Sequence, residues 1–96
     1  MSKSTYYIFF RNLANPLRIK IIEKLKEKEN SVGELSKKLK VEQSKISHAL
    51  SSLKNCRIVE VKQKGKQRIY FLNKKTILPI LKILDKHKCE KCGYCN

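Results

Sequence analysis

Apolar residues recur along this chain at two periods, and the periods divide it into elements. Tyr6, Tyr7, Ile8, Phe9, Phe10 and Leu13 fit a short helix capped by Ser4 or Thr5, with more apolar surface than one face needs. Asn15-Pro16 interrupts and restarts the chain, because Asn is a good N-cap and Pro suits the first helical position. A second helix then buries Leu17, Ile21, Ile22 and Leu25 and ends near Glu29-Asn30. Ser31-Val32-Gly33-Glu34 reads as a capping box opening a third helix, with Val32, Leu35 and Leu39 turned inward. Lys40-Val41-Glu42 forms a turn, and Gln43 starts a fourth helix whose apolar stripe is Ile46, Leu50 and Leu53.

After Asn55 to Arg57 the period changes. Ile58 to Lys64 and Gln67 to Leu72 are rich in β-branched and aromatic residues, and Gly65-Lys66 separates them. This predicts a hairpin with a basic tip. A last helix carries Ile77, Leu78, Ile80, Leu81, Ile83 and Leu84, with Pro79 accommodated in its first turn. The fold class is therefore mainly α with a small β-hairpin, in the order α-α-α-α-β-β-α.

The third and fourth helices, joined by a three-residue turn, make a helix-turn-helix. The fourth helix offers Gln43, Ser44, Lys45, Ser47, His48 and Ser51 on its polar face, none of them acidic. Such side chains suit the donors, acceptors and methyl groups that base edges present in the major groove. The bland alternative is an amphipathic helix with a merely solvated outer face. Its neighbours decide between the two. Lys62, Lys64, Lys66 and Arg68 lie on the hairpin that follows, where a basic tip contacts phosphate or the minor groove.

Charge points the same way. The chain of 96 residues has 23 Lys and Arg against 8 Asp and Glu, a formal net charge of +15. That imbalance repels itself and favours a polyanionic partner, of which nucleic acid is the commonest, and the groove-reading helix makes it double-stranded DNA. The basic residues are spread along the chain rather than gathered on one membrane anchor, and no segment has transmembrane length. These features point to a cytoplasmic protein without a membrane partner. No Ser/His/Asp set, paired carboxylates, phosphate loop or HExxH motif suggests an enzyme or a small-molecule substrate.

A domain this small buries a thin core and gains from dimerising. Tyr6, Tyr7 and Phe10 on the first helix and Ile80, Leu81 and Leu84 on the last are the residues expected at a homodimer interface. A dimer would hold two reading helices about 34 Å apart on a palindromic site.

The stretches LANPLRIKIIEKL, VGELSKKLKVEQSKISHALSSLKNCRIVE and KGKQRIYFL, in this order, resemble the ArsR/SmtB family of winged-helix repressors. Ser47-His48-Ala49-Leu50 sits where that family carries Ser-His-His-Leu, and Gly65-Lys66 with Tyr70 sits at its wing signature. The resemblance implies a winged helix-turn-helix fold, homodimerisation through the first and last helices, and operator binding that represses transcription. There are departures. The family's turn and pre-wing glycines are here Lys40 and Arg57, and Glu42 replaces a small N-cap. The brace helix SVGELSKKL has no cysteine pair, and of the zinc-sensor ligands on the last helix only Asp85 and His87 appear.

The cysteines are Cys56, Cys89, Cys92 and Cys95. Residues 1–88 form the expected DNA-binding and dimerisation domain, and 89–96 a cysteine-containing tail. The C-x2-C-x2-C spacing of Cys89, Cys92 and Cys95 lets thiolates converge on a thiophilic ion such as zinc or arsenite, with His87, Cys56 or a cysteine from a second subunit as candidate fourth ligand. A thiol redox switch and an idle polar tail are the alternatives. Cys56, between helix and strand, reads as core packing. A DNA-coating or protein-interaction module without sequence choice is the competing reading of the whole chain.

Overall fold

The computed structural model describes residues 5–87. Among the described residues five helices and three strands follow in order: α1 (Thr5–Leu13), α2 (Pro16–Glu27), β1 (Asn30–Ser31), α3 (Val32–Leu39), α4 (Gln43–Asn55), β2 (Val59–Lys64), β3 (Gln67–Leu72) and α5 (Ile77–His87). The sheet is antiparallel with order β1-β3-β2. The hairpin and all five helices match the periodicity. The two-residue strand β1, pairing Asn30 with Tyr70 and Ser31 with Ile69, does not follow from it. Two residues are too few to show alternation, and tertiary pairing alone makes them a strand.

Local chemistry sets the boundaries. Asn15 accepts the Arg18 amide and Pro16 opens α2. Ser31 and Glu34 complete a reciprocal capping box on α3. The Ser31 amide holds the Glu34 carboxyl below its ordinary pKa. α4 begins at Gln43 behind Glu42, whose side chain makes no cap bond but whose carbonyl accepts the Lys45 and Ile46 amides.

One apolar core joins the elements. Ile21, Ile22 and Leu25 of α2, Leu35 of α3, and Ile46, Ala49, Leu50 and Leu53 of α4 meet Ile58, Val59, Tyr70, Leu72 and Ile77. Thus α4 packs into the core along its inner face and leaves its polar face outward. Among the described residues no helix is long and apolar enough to cross a membrane.

Lys40 and Arg57 both adopt positive φ, 56° and 58°. These are the two positions where a glycine would be expected from the family resemblance. Lys40 closes α3 as a left-handed cap, its amide bonded to the Ser36 carbonyl. Arg57 turns the chain from α4 into β2, its amide bonded to the Lys54 carbonyl. An L side chain in this region costs about 1 kcal/mol or more. Lys40→Gly is therefore expected to raise stability by about 0.5–1 kcal/mol, read as a higher urea midpoint at unchanged slope. A lower midpoint would show that the Lys40 side chain stabilises the turn by more than its strain costs.

Candidate nucleic-acid interface

α4 presents Gln43, Ser44, Lys45, Ser47, His48 and Ser51 to solvent, while Ile46, Ala49, Leu50 and Leu53 are buried beneath them. The two sets interleave at helical spacing, so the exposed six form one continuous polar ridge. α3 braces the ridge from behind. Its turn is tied by the Ser36 hydroxyl, which donates to the Val41 carbonyl. Gln43 reaches back over the first turn of α3, its Nε2 3.9 Å from where a β-carbon on Gly33 would stand. Ser44, Lys45 and His48 share a recess of about 270 Å³ with Asn15, Leu17 and Arg18 at the start of α2. The inward half of the ridge is therefore framed by a second helix.

The hairpin follows α4 and packs on it through β2. Lys64 pairs with Gln67, and the two-residue connection Gly65-Lys66 turns through Gly65 at φ 63°. Positive φ at this first loop position fits the mirror-image turns that match strand twist, and it suits glycine. The register divides the wing cations between two faces. Lys62 and Lys64 lie opposite Ile69 and Gln67 on one face; Arg68 lies opposite Gln63 on the other; Lys66 is at the tip. All four are exposed.

Lys62 differs from the rest. Its Nζ lies 2.8 Å from the Glu29 carboxylate and 5.5 Å from the centre of the Phe71 ring. The hydrogen bond from Lys62 is the main reason the Glu29 carboxyl sits below its ordinary pKa. Lys64, Lys66 and Arg68 form no ion pair among the described residues. The four cations that composition groups together are thus three uncommitted charges at the tip and one tethered at the base.

The apolar candidates divide as well. Tyr6, Tyr7 and Phe10 are exposed on α1, where with Arg11 and Ala14 they frame a shallow hollow, and Phe9 and Leu13 pack inward. On α5, Leu84 is exposed, while Ile80 and Leu81 are half-buried and line a groove of about 300 Å³ against Leu13, Ile19 and Ile22. Ile83, at 68% exposure, and the partly open Ile8 and Ile19 extend the apolar surface beyond the six residues expected from the sequence. A Lys26–Asp85 ion pair ties α2 to α5 at the rim of that groove.

Cys89, Cys92 and Cys95 lie outside the described residues, as does the side chain of His87. Among the described residues no group of three or more His, Cys, Asp or Glu side chains is arranged to hold a metal ion. Cys56 is half-buried against the core, as expected, and its sulfur also accepts a hydrogen bond from Asn12. Sequence reasoning missed Asn12 and its neighbour Arg18. The signal was present: Asn12 is a polar residue beside Phe9 and Leu13 on the inward stripe of α1.

Comparison with known proteins bears on these surfaces. A family model described as bacterial regulatory protein, arsR family, matches residues 15–61, from the α2 cap into the first strand of the wing. The chain is 37% identical over 79 residues to the uncharacterized HTH-type transcriptional regulator Rv0081 of Mycobacterium tuberculosis, covering 81% of this chain and 69% of that protein. The crystal structure of Rv0081 superposes with a TM-score of 0.81 at 31% identity over 96% of each chain. The transcriptional activator HlyU of Vibrio cholerae is 28% identical over 83 residues, covering 86% of this chain and 77% of HlyU. Its reduced form has a TM-score of 0.76 at 27% identity, covering 88% and 90% of the two chains. The transcriptional repressor BigR from Xylella fastidiosa has a TM-score of 0.73 at 29% identity, covering 85% and 81%.

Proposed function

Because this chain belongs to the arsR family of bacterial regulatory proteins, and is thus a DNA-binding transcriptional regulator, we propose that it acts in the cytoplasm as a homodimeric repressor on a palindromic operator. The observation that carries this reading is the pairing of an acid-free polar ridge on α4 with an uncommitted basic wing tip, both rooted in one core. Gln43, Ser44, Lys45, Ser47, His48 and Ser51 read or flank base edges. Lys64, Lys66 and Arg68 hold phosphate, and Lys62 does so only where it leaves Glu29. BigR is named a repressor and HlyU an activator. We assign repression because a dimer seated over a palindrome blocks polymerase by occupancy alone.

The test is selection of duplexes from a random library followed by footprinting. A palindromic protected site supports the reading; diffuse coverage favours a DNA-coating module. In the same assay Gln43→Ala is expected to relax preference at one position of each half-site, with about 1–3 kcal/mol of discrimination lost. Unchanged preference would remove Gln43 from the base contacts.

The inducer reading rests on the spacing of Cys89, Cys92 and Cys95. Three thiolates at this spacing suit zinc or, in a pyramidal arrangement, arsenite, and the ion's binding would release DNA by altering the dimer. The protein with all three changed to Ser is expected to bind its operator as wild type does and to stay bound when zinc or arsenite is added. If it is released like wild type, sensing lies elsewhere.

A further inference from the structure

α1 and α4 are joined by a partly buried polar cluster centred on Asn12, whose Arg18 also lines the recess beside the DNA-facing ridge. Asn12, 7% exposed, donates through Nδ2 to the Ser52 carbonyl at 2.8 Å and to the Cys56 sulfur at 2.9 Å. Arg18 of α2 spans both partners: Nη1 donates to the Asn12 side-chain and main-chain oxygens, and Nη2 to the Ser52 hydroxyl at 3.2 Å. Every polar atom of the Asn12 side chain is thereby used.

The Ser52 carbonyl belongs to the last turn of α4, where carbonyls lack helical partners. Its ordinary partner would be the Cys56 amide, but that amide turns to the Lys54 carbonyl. Asn12 supplies the missing donor from a different helix. It acts as a tertiary cap on the reading helix, and the Arg18 fork bridges the two elements, Nη1 donating to Asn12 Oδ1 and Nη2 to the Ser52 hydroxyl. The same helix α1 carries Tyr6, Tyr7 and Phe10 on its outer side.

We propose that Asn12 and Arg18 are positioning residues that lock the reading helix at a fixed angle to the dimer face, and so set the spacing of half-sites the dimer accepts. This rests on the homodimer reading above and deepens it. The core alone holds α4 by apolar side chains, which tolerate small rotations. The hydrogen-bonded cluster does not, because a shift would strand the partly buried Ser52 carbonyl and the buried Asn12 amide. A rotation of α4 about its own contacts would leave one half-site readable. It would spoil the simultaneous seating of two.

The test uses the full chain, a palindromic duplex selected by wild type, the same duplex lengthened by one base pair between half-sites, and a single half-site. Asn12→Leu, close in size, is expected to weaken binding to the palindrome about tenfold, the worth of one or two net hydrogen bonds. Half-site binding stays within about twofold, sedimentation still gives a dimer, and the penalty for the inserted base pair shrinks. A uniform loss on palindrome and half-site, or no loss on either, overturns the proposal. Should Asn12→Leu fail to fold, Arg18→Lys carries the test, since it keeps the charge and loses the fork; the same split is expected, and equal losses overturn it. A wild-type chain that selects no duplex removes the proposed function and this inference together. A wild type that selects one, with variants that bind as it does, removes this inference alone.

Discussion

Raising salt from about 50 to about 200 mM is expected to weaken binding to the operator by roughly 10³–10⁵-fold. The expectation follows from where the charges sit. The chain carries +15, and the wing tip and α4 hold Lys45, Lys64, Lys66 and Arg68 exposed and outside the ion pairs found among the described residues. With about eight phosphates neutralised per dimer, each releases counterions, and the affinity falls along a steep line in log salt. The individual contributions are separable. Lys64→Ala and Lys66→Ala are each expected to lower the slope by about one per site and to weaken all sequences alike. Lys62→Ala is expected to lower it less, because Glu29 already holds that ammonium 2.8 Å away and binding must first break the pair. Anisotropy titrations at four or more salt concentrations measure all three. A flat wild-type response would sink the phosphate contacts, and a Lys62 slope change equal to that of Lys66 would show that Glu29 releases it freely.

The different fates of Lys62 and Lys66 illustrate what sequence made legible. Period and punctuation located every helix and the hairpin, since Asn15-Pro16, Ser31 with Glu34, and Gly65 each act through local backbone chemistry. The polar ridge on α4 was legible for the same reason: a stripe of Ile46, Leu50 and Leu53 leaves the remaining positions outside. Partnership across the fold was not. Glu29 meets Lys62 only because β1 brings the end of α2 beside the sheet, and β1 is two residues long. Asn12 reaches Ser52 across 40 residues of chain, and no local pattern encodes that contact. The positive φ of Lys40 and Arg57 lay between these cases. Their sequence shows no glycine; the resemblance set them apart as departures from family glycines, and the left-handed backbone became visible only in the structure.

On the proposed homodimer, Phe10→Glu combined with Leu84→Glu is expected to give a monomer and to weaken binding to the palindrome by about 10²–10⁴-fold, the range that linking two sites supplies. Phe10 is 60% exposed and Leu84 56%, so neither carboxylate would enter the core of a single chain, and the variant should fold. In the dimer both side chains would be covered. An unpaired carboxylate in an apolar contact costs several kcal/mol, and the double change places four of them in the interface. The apolar surface is suited to such a contact because α1 and α5 meet at one groove. Leu13 and Leu84 line its two sides, and Ile83 and Phe10 lie outside it. Sedimentation equilibrium and binding to palindrome and half-site duplexes give the answer together. A monomer that binds a half-site as well as wild type, but has lost the palindrome's advantage, places the interface on α1 and α5. A variant that remains dimeric with full operator affinity places it elsewhere. The angle that Asn12 and Arg18 impose on α4 would then be measured against a different axis, and the half-site spacing would follow from that axis instead.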